Sequence, residues 1–334
     1  MTPTILFVHG AGDQKPKKEL KKDLDDALFP GDPKPTTAIA YYSDICWPHE
    51  EGGLEAIGAA PTSKVADAIE SMSTAGASPA ASARQVLESI QPAAGAGADG
   101  GLEALPPAGG AGKGASADAT RPLDAGALEL LNVFLQGADQ AANAAGPVAV
   151  GPDEEGLEAI HIGLPDELFK LAAGKAGVDV VRYLYQAQWT VPMRKRVRDA
   201  VADAPDPLIV VAHSLGTIIT YDVLSADEFK ARDIRLLVTA GSPLGISNVM
   251  TRLRDGQGPG TIPAEIESWS NFCDRLDPVA ILGQSLGDKF PPFDFVHDVS
   301  HVDNPAANNH DLTGYLGLSL IRETVQRALH LVTA

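Results

Sequence analysis

The sequence predicts an α/β fold, with a mainly parallel sheet flanked by helices and a large helical, Ala/Gly-rich insertion after the second predicted strand. Short continuous apolar runs such as Ile5–Val8 are typical of strands that helices bury on both faces. Segments with apolar residues at helical spacing alternate with these runs, which favours parallel strands. The predicted strands are 5–8, 36–45, 207–213, 234–239 and 268–273, and the helices outside the insertion are 15–28, 164–173, 178–202 (broken near Pro192), 217–224 and 312–332.

Length, charge and cysteine content exclude several classes of protein. The 334 residues are enough to bury a large core, and the formal charge of −18 repels nucleic-acid phosphates and anionic lipid headgroups. Two cysteines, Cys46 and Cys273, cannot form a disulfide framework. The first residues do not resemble a signal peptide, and no run approaches the roughly 18 apolar residues of a spanning helix. We expect a cytoplasmic protein with no integral membrane segment and no nucleic-acid partner.

The composition changes sharply between residues 46 and 160. In the low-complexity tract 91–120, Ala, Gly and Pro fill 21 of 30 positions, so the tract has little to bury. Its flanks are helix-permissive. We expect 46–160 to be an inserted lid or cap on a core formed by 1–45 and 161–334, although an expendable linker would have the same composition.

The pentapeptide AHSLG at 212–216 carries the clearest chemical signal. It follows four apolar residues and opens a predicted helix, as in a strand-to-helix turn that lifts a serine Oγ out of the sheet as an exposed nucleophile. Ser214 has that position, with the small residues Ala212 and Gly216 on either side. The alternative is a serine that only caps the helix.

Ser242 is a rival, because it also lies between glycines after a strand. The residue after a nucleophilic serine must donate its backbone N–H to the developing oxyanion, and Pro243 has no N–H. We therefore expect Ser242 to be a loop residue.

An oxyanion hole needs two aligned donors. We call the strand-to-helix turn at Ser214 the elbow. The N–H of Leu215, the residue directly after Ser214, is one candidate. The loop after the first strand, HGAG at 9–12, supplies the other, and Ala11 N–H is the expected donor because the neighbouring glycines let the backbone approach a substrate.

A nucleophilic serine needs a histidine as its base and a carboxylate that orients this histidine. Both are expected after Ser214, in the order serine, carboxylate, histidine. Asp277 follows a strand and precedes Pro278, which favours an extended conformation at the acid. Asp274 lies three residues earlier and nearer the strand end, where a carboxylate caps the next turn. Asp277 is therefore the expected acid, although the sequence does not settle the choice. His310, in a polar loop before the last helix, is the expected base; the other downstream histidines are His297, His301 and His330.

The segment 297–303 contains two histidines and two aspartates, which allows a metal-site interpretation. In a strand these side chains do not share one face, so a solvated edge strand is favoured. We expect no metal and no cofactor.

Taken together, these residues resemble the α/β-hydrolase superfamily, in particular its serine lipase and esterase branch, where AHSLG stands in place of GHSLG. The resemblance covers the His9-Gly10 loop, the Ser214 elbow, the strand exit at 241–244, the loop at Asp277 and His310. Asp277 lies 63 residues after Ser214, and His310 lies 33 residues after Asp277. The insertion at 46–160 departs from the family, whose cap usually comes later in the chain.

The resemblance implies a Ser-His-Asp triad that cleaves carboxylic esters through an acyl-enzyme, without a cofactor, with a small-molecule or lipid ester as substrate. An acyltransferase would use the same residues. A binding or scaffold protein that retains the fold without catalysis is the alternative from another class.

Overall fold

The computed structural model of the protein describes residues 2–31, 33–47, 79–90, 123, 125–145, 166–254, 260–263 and 266–330. The low-complexity tract 91–120 and most of the predicted insertion 46–160 lie outside these residues. The prediction of an inserted lid therefore stays a prediction.

Strands and helices alternate along most of the chain. The strands are β1 (Thr4–Val8), β2 (Thr37–Ala40), β3 (Leu208–His213), β4 (Ile234–Ala240), β5 (Trp269–Asp274) and β6 (Val296–Val302). The α-helices are α1 (Lys17–Leu28), α2 (Ser43–Cys46), α3 (Pro79–Ser89), α4 (Ala125–Ala145), α5 (Asp166–Tyr185), α6 (Ala187–Asp203), α7 (Leu215–Leu224), α8 (Ser247–Leu253), α9 (Leu312–Gly317) and α10 (Ser319–His330).

These strands form one sheet in the order β2-β1-β3-β4-β5-β6, and every pair of neighbours is parallel. The prediction of an α/β fold with a mainly parallel sheet and flanking helices is confirmed. β6, which contains His297 and His301, forms one edge of the sheet.

Two apolar clusters, one on each face, hold the sheet between helices. Successive residues of β1 point to opposite faces: Ile5 and Phe7 pack with α1, α9 and α10, whereas Leu6 and Val8 pack with α3 to α7. Both faces of β1 and β3 are fully buried. This explains why these strands are continuous apolar runs in the sequence rather than alternating ones.

Helix α4 lies against the loop that follows β5. A Cβ atom at Gly137 would lie 2.4 Å from the carbonyl oxygen of Pro278, so the helix backbone is in direct contact with this loop. Leu130 and Phe134 of the same helix are buried in the apolar cluster that contains Leu6 and Val8. α4 therefore packs as part of the core.

Several predicted boundaries are wrong. One helix, Asp166–Tyr185, spans the gap predicted between 173 and 178, and the helix predicted over 312–332 is broken at Leu318. Two further differences have a tertiary reason. The strand predicted over 36–45 ends at Ala40, because Tyr42 turns away and donates its backbone N–H to His9 Nε2 (3.0 Å). The helix break predicted near Pro192 falls at Gln186 instead. Helix α6 continues through Pro192 because the buried stripe from Trp189 to Val201 holds it against the core.

None of the helices in the described part of the chain is long and apolar enough to cross a lipid bilayer.

Candidate active site

Four adjacent strands end at the same edge of the sheet, because all of them are parallel. Several predicted site residues come soon after these strand ends. His9 follows β1, Ser214 follows β3, Gly241 and Ser242 follow β4, and Asp277 lies in the loop after β5. The strand order alone thus brings the predicted site residues of distant sequence segments to one place.

Ser214 occupies a tight turn between β3 and α7. Its φ of 51° and ψ of −128° lie in a region that residues other than glycine rarely adopt, at a cost on the order of 1–3 kcal/mol. The Ser214 N–H donates to Ala240 O (3.1 Å), and its carbonyl accepts from Thr217 N–H (2.9 Å). These two backbone hydrogen bonds therefore hold the strained conformation of Ser214 in place.

Gly216 allows the turn to pack beneath the loop after β1. A Cβ at this position would lie 2.4 Å from His9 O and 2.6 Å from Val8 O. Any side chain would push the start of α7 away from β1. The small residue two positions after Ser214 is thus required by backbone packing.

Three predicted residues form one hydrogen-bonded chain. His310 Nε2 lies 2.8 Å from Ser214 Oγ, and His310 Nδ1 lies 2.8 Å and 2.9 Å from the two carboxylate oxygens of Asp277. Because an ionised carboxylate can only accept, the imidazole donates a hydrogen bond from Nδ1 to Asp277. Its Nε2 accepts a hydrogen bond from the Ser214 hydroxyl. Gly241 leaves room for this contact, since a Cβ there would lie 2.8 Å from Asp277 Oδ2.

Asp277 is completely buried but well supplied with donors. It accepts from Val279 N–H (2.9 Å), Ala280 N–H (3.1 Å) and Tyr315 O–H (2.7 Å) in addition to His310. Burial by itself raises the pKa of this carboxyl group, but the interaction with the His310 ring and the hydrogen bonds from Tyr315 and Val279 hold the pKa below its ordinary value. Asp277 is therefore ionised at neutral pH.

Asp274, the rival carboxylate, faces other partners. It accepts from the backbone N–H groups of Leu276 and Asn304, and its pKa is raised by burial. The side chain of Asn304 in turn donates to Asn309 O (3.0 Å) and to Asp311 O (2.9 Å), the carbonyl groups of the residues on either side of His310. Asp274 thus ties the loop after β5 to the loop that carries His310.

Ser242, the rival serine, is bonded away from the imidazole. Its Oγ lies 2.7 Å from Thr217 Oγ1 and accepts from Leu244 N–H (3.1 Å). The structure gives it the loop position that Pro243 led us to expect.

One predicted oxyanion donor follows Ser214 in the chain, and the other lies in the loop after β1, where a Cβ at Gly10 would lie 2.8 Å from Ser214 Cβ. Leu215 is the first residue of α7, so its N–H is one of the helix N-terminal donors without an intrahelical acceptor. Within the described residues, Ala11 N–H has no hydrogen-bond acceptor, while its neighbours in the loop are bonded. Gly12 N–H donates to Asp179 Oδ2 (2.8 Å), and Ala11 O accepts from Gln14 Nε2 (2.8 Å).

His9 fixes the start of the same loop. It is buried, its Nδ1 donates to Gly10 O (2.7 Å), and its Nε2 accepts from Tyr42 N–H (3.0 Å). Burial outweighs the opposite effects of Gly10 O and Asp44 and lowers the pKa of His9 from 6.5 to about 4. The ring is therefore neutral at pH 7.

His213 packs against His310, with ring centroids 4.6 Å apart. Burial, with the charge of His310 as a second contribution, lowers the pKa of His213 well below its ordinary value. A neutral ring at this place adds no positive charge that would disfavour protonation of His310.

Ser214 is not exposed, contrary to the sequence prediction. The residue is 0% exposed and His310 is 9% exposed. The elbow lifts the hydroxyl out of the sheet, but neighbouring parts of the chain cover it. A substrate needs an opening to reach this hydroxyl.

Sequence reasoning missed three residues that hold the site. Tyr315 occupies an apolar position of α9, Asn304 lies in an unremarkable polar loop, and Asp179 lies within the helical pattern of α5. Local patterns carry no signal for these contacts, because the partners are up to 167 residues away in sequence.

Comparisons of the chain with protein-family models, with curated proteins and with solved structures found no match. The resemblance to the α/β-hydrolase superfamily therefore rests on the residues themselves.

The lowered pKa of His9 predicts a pH-dependent stability. Between pH 6.5 and about 4 the unfolded chain binds a proton at His9 that the folded protein does not bind, so the free energy of unfolding falls as the pH is lowered. Lowering the pH from 7 to 5 should cost about 2 kcal/mol through this group. We expect His9→Gln to lose about 2 kcal/mol less than the wild type over this range in urea unfolding.

The matched control is His297→Gln, which replaces an exposed histidine of β6. It should show the wild-type pH dependence. An unchanged pH dependence in His9→Gln would contradict the assignment of a buried neutral ring.

Proposed function

We propose that the protein is a serine carboxylic-ester hydrolase of the esterase or lipase type that works through an acyl-enzyme. The observation that carries this proposal is the hydrogen-bonded chain from Ser214 Oγ through His310 to Asp277, with 2.8 Å at each imidazole nitrogen. This is the arrangement in which a base removes the serine proton and a carboxylate orients the base.

In acylation, Ser214 Oγ attacks the ester carbonyl carbon as its proton moves to His310 Nε2. The carbonyl oxygen becomes an oxyanion, which Ala11 N–H and Leu215 N–H stabilise. His310 then gives the proton to the leaving alkoxide, so that an alcohol departs and the acyl group stays on Ser214. In deacylation, water attacks the acyl carbonyl carbon as its proton moves to His310 Nε2. The bond from this carbon to Ser214 Oγ then breaks, His310 returns the proton to Oγ, and the acid departs.

Asp277 keeps the proton of His310 on Nδ1, which leaves Nε2 free to accept from Ser214. Its negative charge stabilises the imidazolium that forms in each half-reaction. The three other donors to Asp277 keep this carboxylate ionised and fixed, so that it does not rotate away from the ring.

The frame around these residues supports an α/β-hydrolase core formed by 1–45 and 161–334. The order of nucleophile, acid and base, and their placement after parallel strands, are those of that superfamily. We take 46–160 as an inserted lid or cap on this core, on the grounds of its composition. Its helix α4 packs in the core and contacts Pro278, so a small-molecule or lipid ester would reach the buried Ser214 through a local opening rather than through displacement of α4.

The first experiment measures hydrolysis of p-nitrophenyl esters of graded chain length by Ser214→Ala. We expect turnover to fall by about 10⁴-fold or more, because the nucleophile is lost. Ser242→Ala is the matched control, since it removes the rival hydroxyl, and its turnover should stay within about tenfold of the wild type. If Ser214→Ala keeps more than about a tenth of wild-type turnover, Ser214 is not the nucleophile.

The second experiment compares the two carboxylates. Asp277→Asn should lower turnover by about 10⁴-fold, because the imidazole loses the partner that fixes its tautomer. Asp274→Asn should instead lower the free energy of unfolding by about 1–3 kcal/mol, because buried N–H groups lose part of their acceptor, while turnover falls far less. Turnover and urea unfolding are measured on both variants, and a larger loss of turnover in Asp274→Asn would reverse the assignment.

A further inference from the structure

The peptide unit between Ala11 and Gly12 is held at both of its ends. Its carbonyl oxygen accepts from Gln14 Nε2 (2.8 Å), and its N–H donates to Asp179 Oδ2 (2.8 Å). Because a peptide unit is planar, two such bonds prevent the plane from rotating. Ala11 N–H belongs to the preceding peptide unit, between Gly10 and Ala11, whose carbonyl oxygen accepts from His9 Nδ1 (2.7 Å). Because the two units share the Ala11 α-carbon, holding both of them fixes the direction of Ala11 N–H.

Asp179 reaches this loop from helix α5, 167 residues away in sequence. It is 1% exposed, and it also accepts from Trp47 Nε1 (2.8 Å) and pairs with Arg182 at 3.1 Å. The carboxylate is thus a buried anion with three donors, one of which is the backbone of the loop after β1.

Arg182 is equally buried and lies between two indole rings. Its guanidinium carbon lies 5.4 Å from the ring centroid of Trp47 and 4.6 Å from that of Trp189. These are attractive cation–π distances. The positive charge therefore stays next to Asp179 and balances a carboxylate that would otherwise oppose a nearby oxyanion.

Stability alone does not account for this ion pair. A buried pair loses hydration on both sides, and apolar side chains of similar volume are often as stabilising or more so. In the part of the chain that the structure describes, Arg182 Nε has no hydrogen-bond partner, which adds to the cost. What an apolar pair could not supply is an acceptor for Gly12 N–H.

We propose that Asp179 is a positioning residue, which holds the Ala11–Gly12 peptide so that Ala11 N–H points at the oxyanion, with Arg182 neutralising its charge. This inference rests on the proposed function and extends it. Asp179 does not touch the substrate; it acts on the transition state through the loop.

The test compares Asp179→Leu with Asp222→Leu, because leucine removes the acceptor of Gly12 N–H, whereas asparagine would keep one. Asp222 is a matched control, because it is also a largely buried carboxylate beside an arginine (Arg194, 3.1 Å) and a tyrosine hydroxyl, but it lies at the far end of α7 from Ser214. Both variants should lose thermal stability. Only Asp179→Leu should lose turnover, by about 10- to 100-fold with KM within about threefold, because a misaligned donor fails in the transition state rather than in substrate binding.

A second readout separates positioning from general damage. The p-nitrophenyl ester that the wild type hydrolyses fastest is compared with its thiono counterpart, because sulfur is a weak hydrogen-bond acceptor and gains little from the oxyanion donors. The ratio of oxo-ester to thiono-ester turnover should fall in Asp179→Leu and stay unchanged in Asp222→Leu. The double variant Asp179→Leu/Arg182→Met leaves no unpaired charge, and the same fall in the ratio is expected if the single variant does not fold.

The outcomes distinguish this inference from the proposed function. If the wild type hydrolyses the oxo-ester but the ratio is unchanged in the Asp179 variants, Asp179 is only structural and the inference is wrong. If the wild type hydrolyses no ester, the proposed function fails, and the inference fails with it.

Discussion

The close approach of helix α7 to the end of β1 is the constraint on which the site depends. With only hydrogen at the α-carbon of Gly216, the start of the helix lies directly beneath the carbonyl groups of Val8 and His9. This contact places the turn that carries Ser214 beside the loop after β1, where a Cβ at Gly10 would lie 2.8 Å from Ser214 Cβ. A hydrogen bond from Ser214 N–H to β4 and one from Thr217 N–H to the Ser214 carbonyl hold the strained turn in place. One backbone contact thus brings Ser214 close to the loop that carries a candidate oxyanion donor.

Around this contact, buried polar groups are arranged so that each has a defined protonation state. His9 and His213 are neutral because burial lowers their pKa values, and Asp277 is ionised because His310, Tyr315 and the N–H of Val279 outweigh its burial. An ionised carboxylate beside His310, with neutral rings nearby, favours a proton on His310, as the proposed reaction requires. Asp179 is another buried charged group with defined partners. Arg182 balances its charge, and its carboxylate accepts from the backbone of the loop after β1.

Much of the architecture is predictable from the sequence, because the strands buried on both faces are continuous apolar runs. Ser214 and His310 are also predictable, since each stands in a local pattern with its own signal. The choice between Asp277 and Asp274 is not, because they are three residues apart and only the folded turn decides which one faces the imidazole. Tyr315 and Asp179 escape prediction for a different reason: their positions in α9 and α5 fit the helical pattern, and their partners are distant in sequence. The end of β2 and the break at Gln186 likewise depend on tertiary contacts that no local window contains.

The claim that all of this serves an activated Ser214 is tested most directly by covalent labelling. The wild-type protein is treated with a fluorophosphonate, which reacts with serine hydroxyls that a base has activated, and the modified peptide is mapped by mass spectrometry. One adduct per chain on Ser214, absent from a His310→Gln variant, is the result that the account predicts. An adduct on Ser242, or no adduct on the folded wild-type protein, would contradict it.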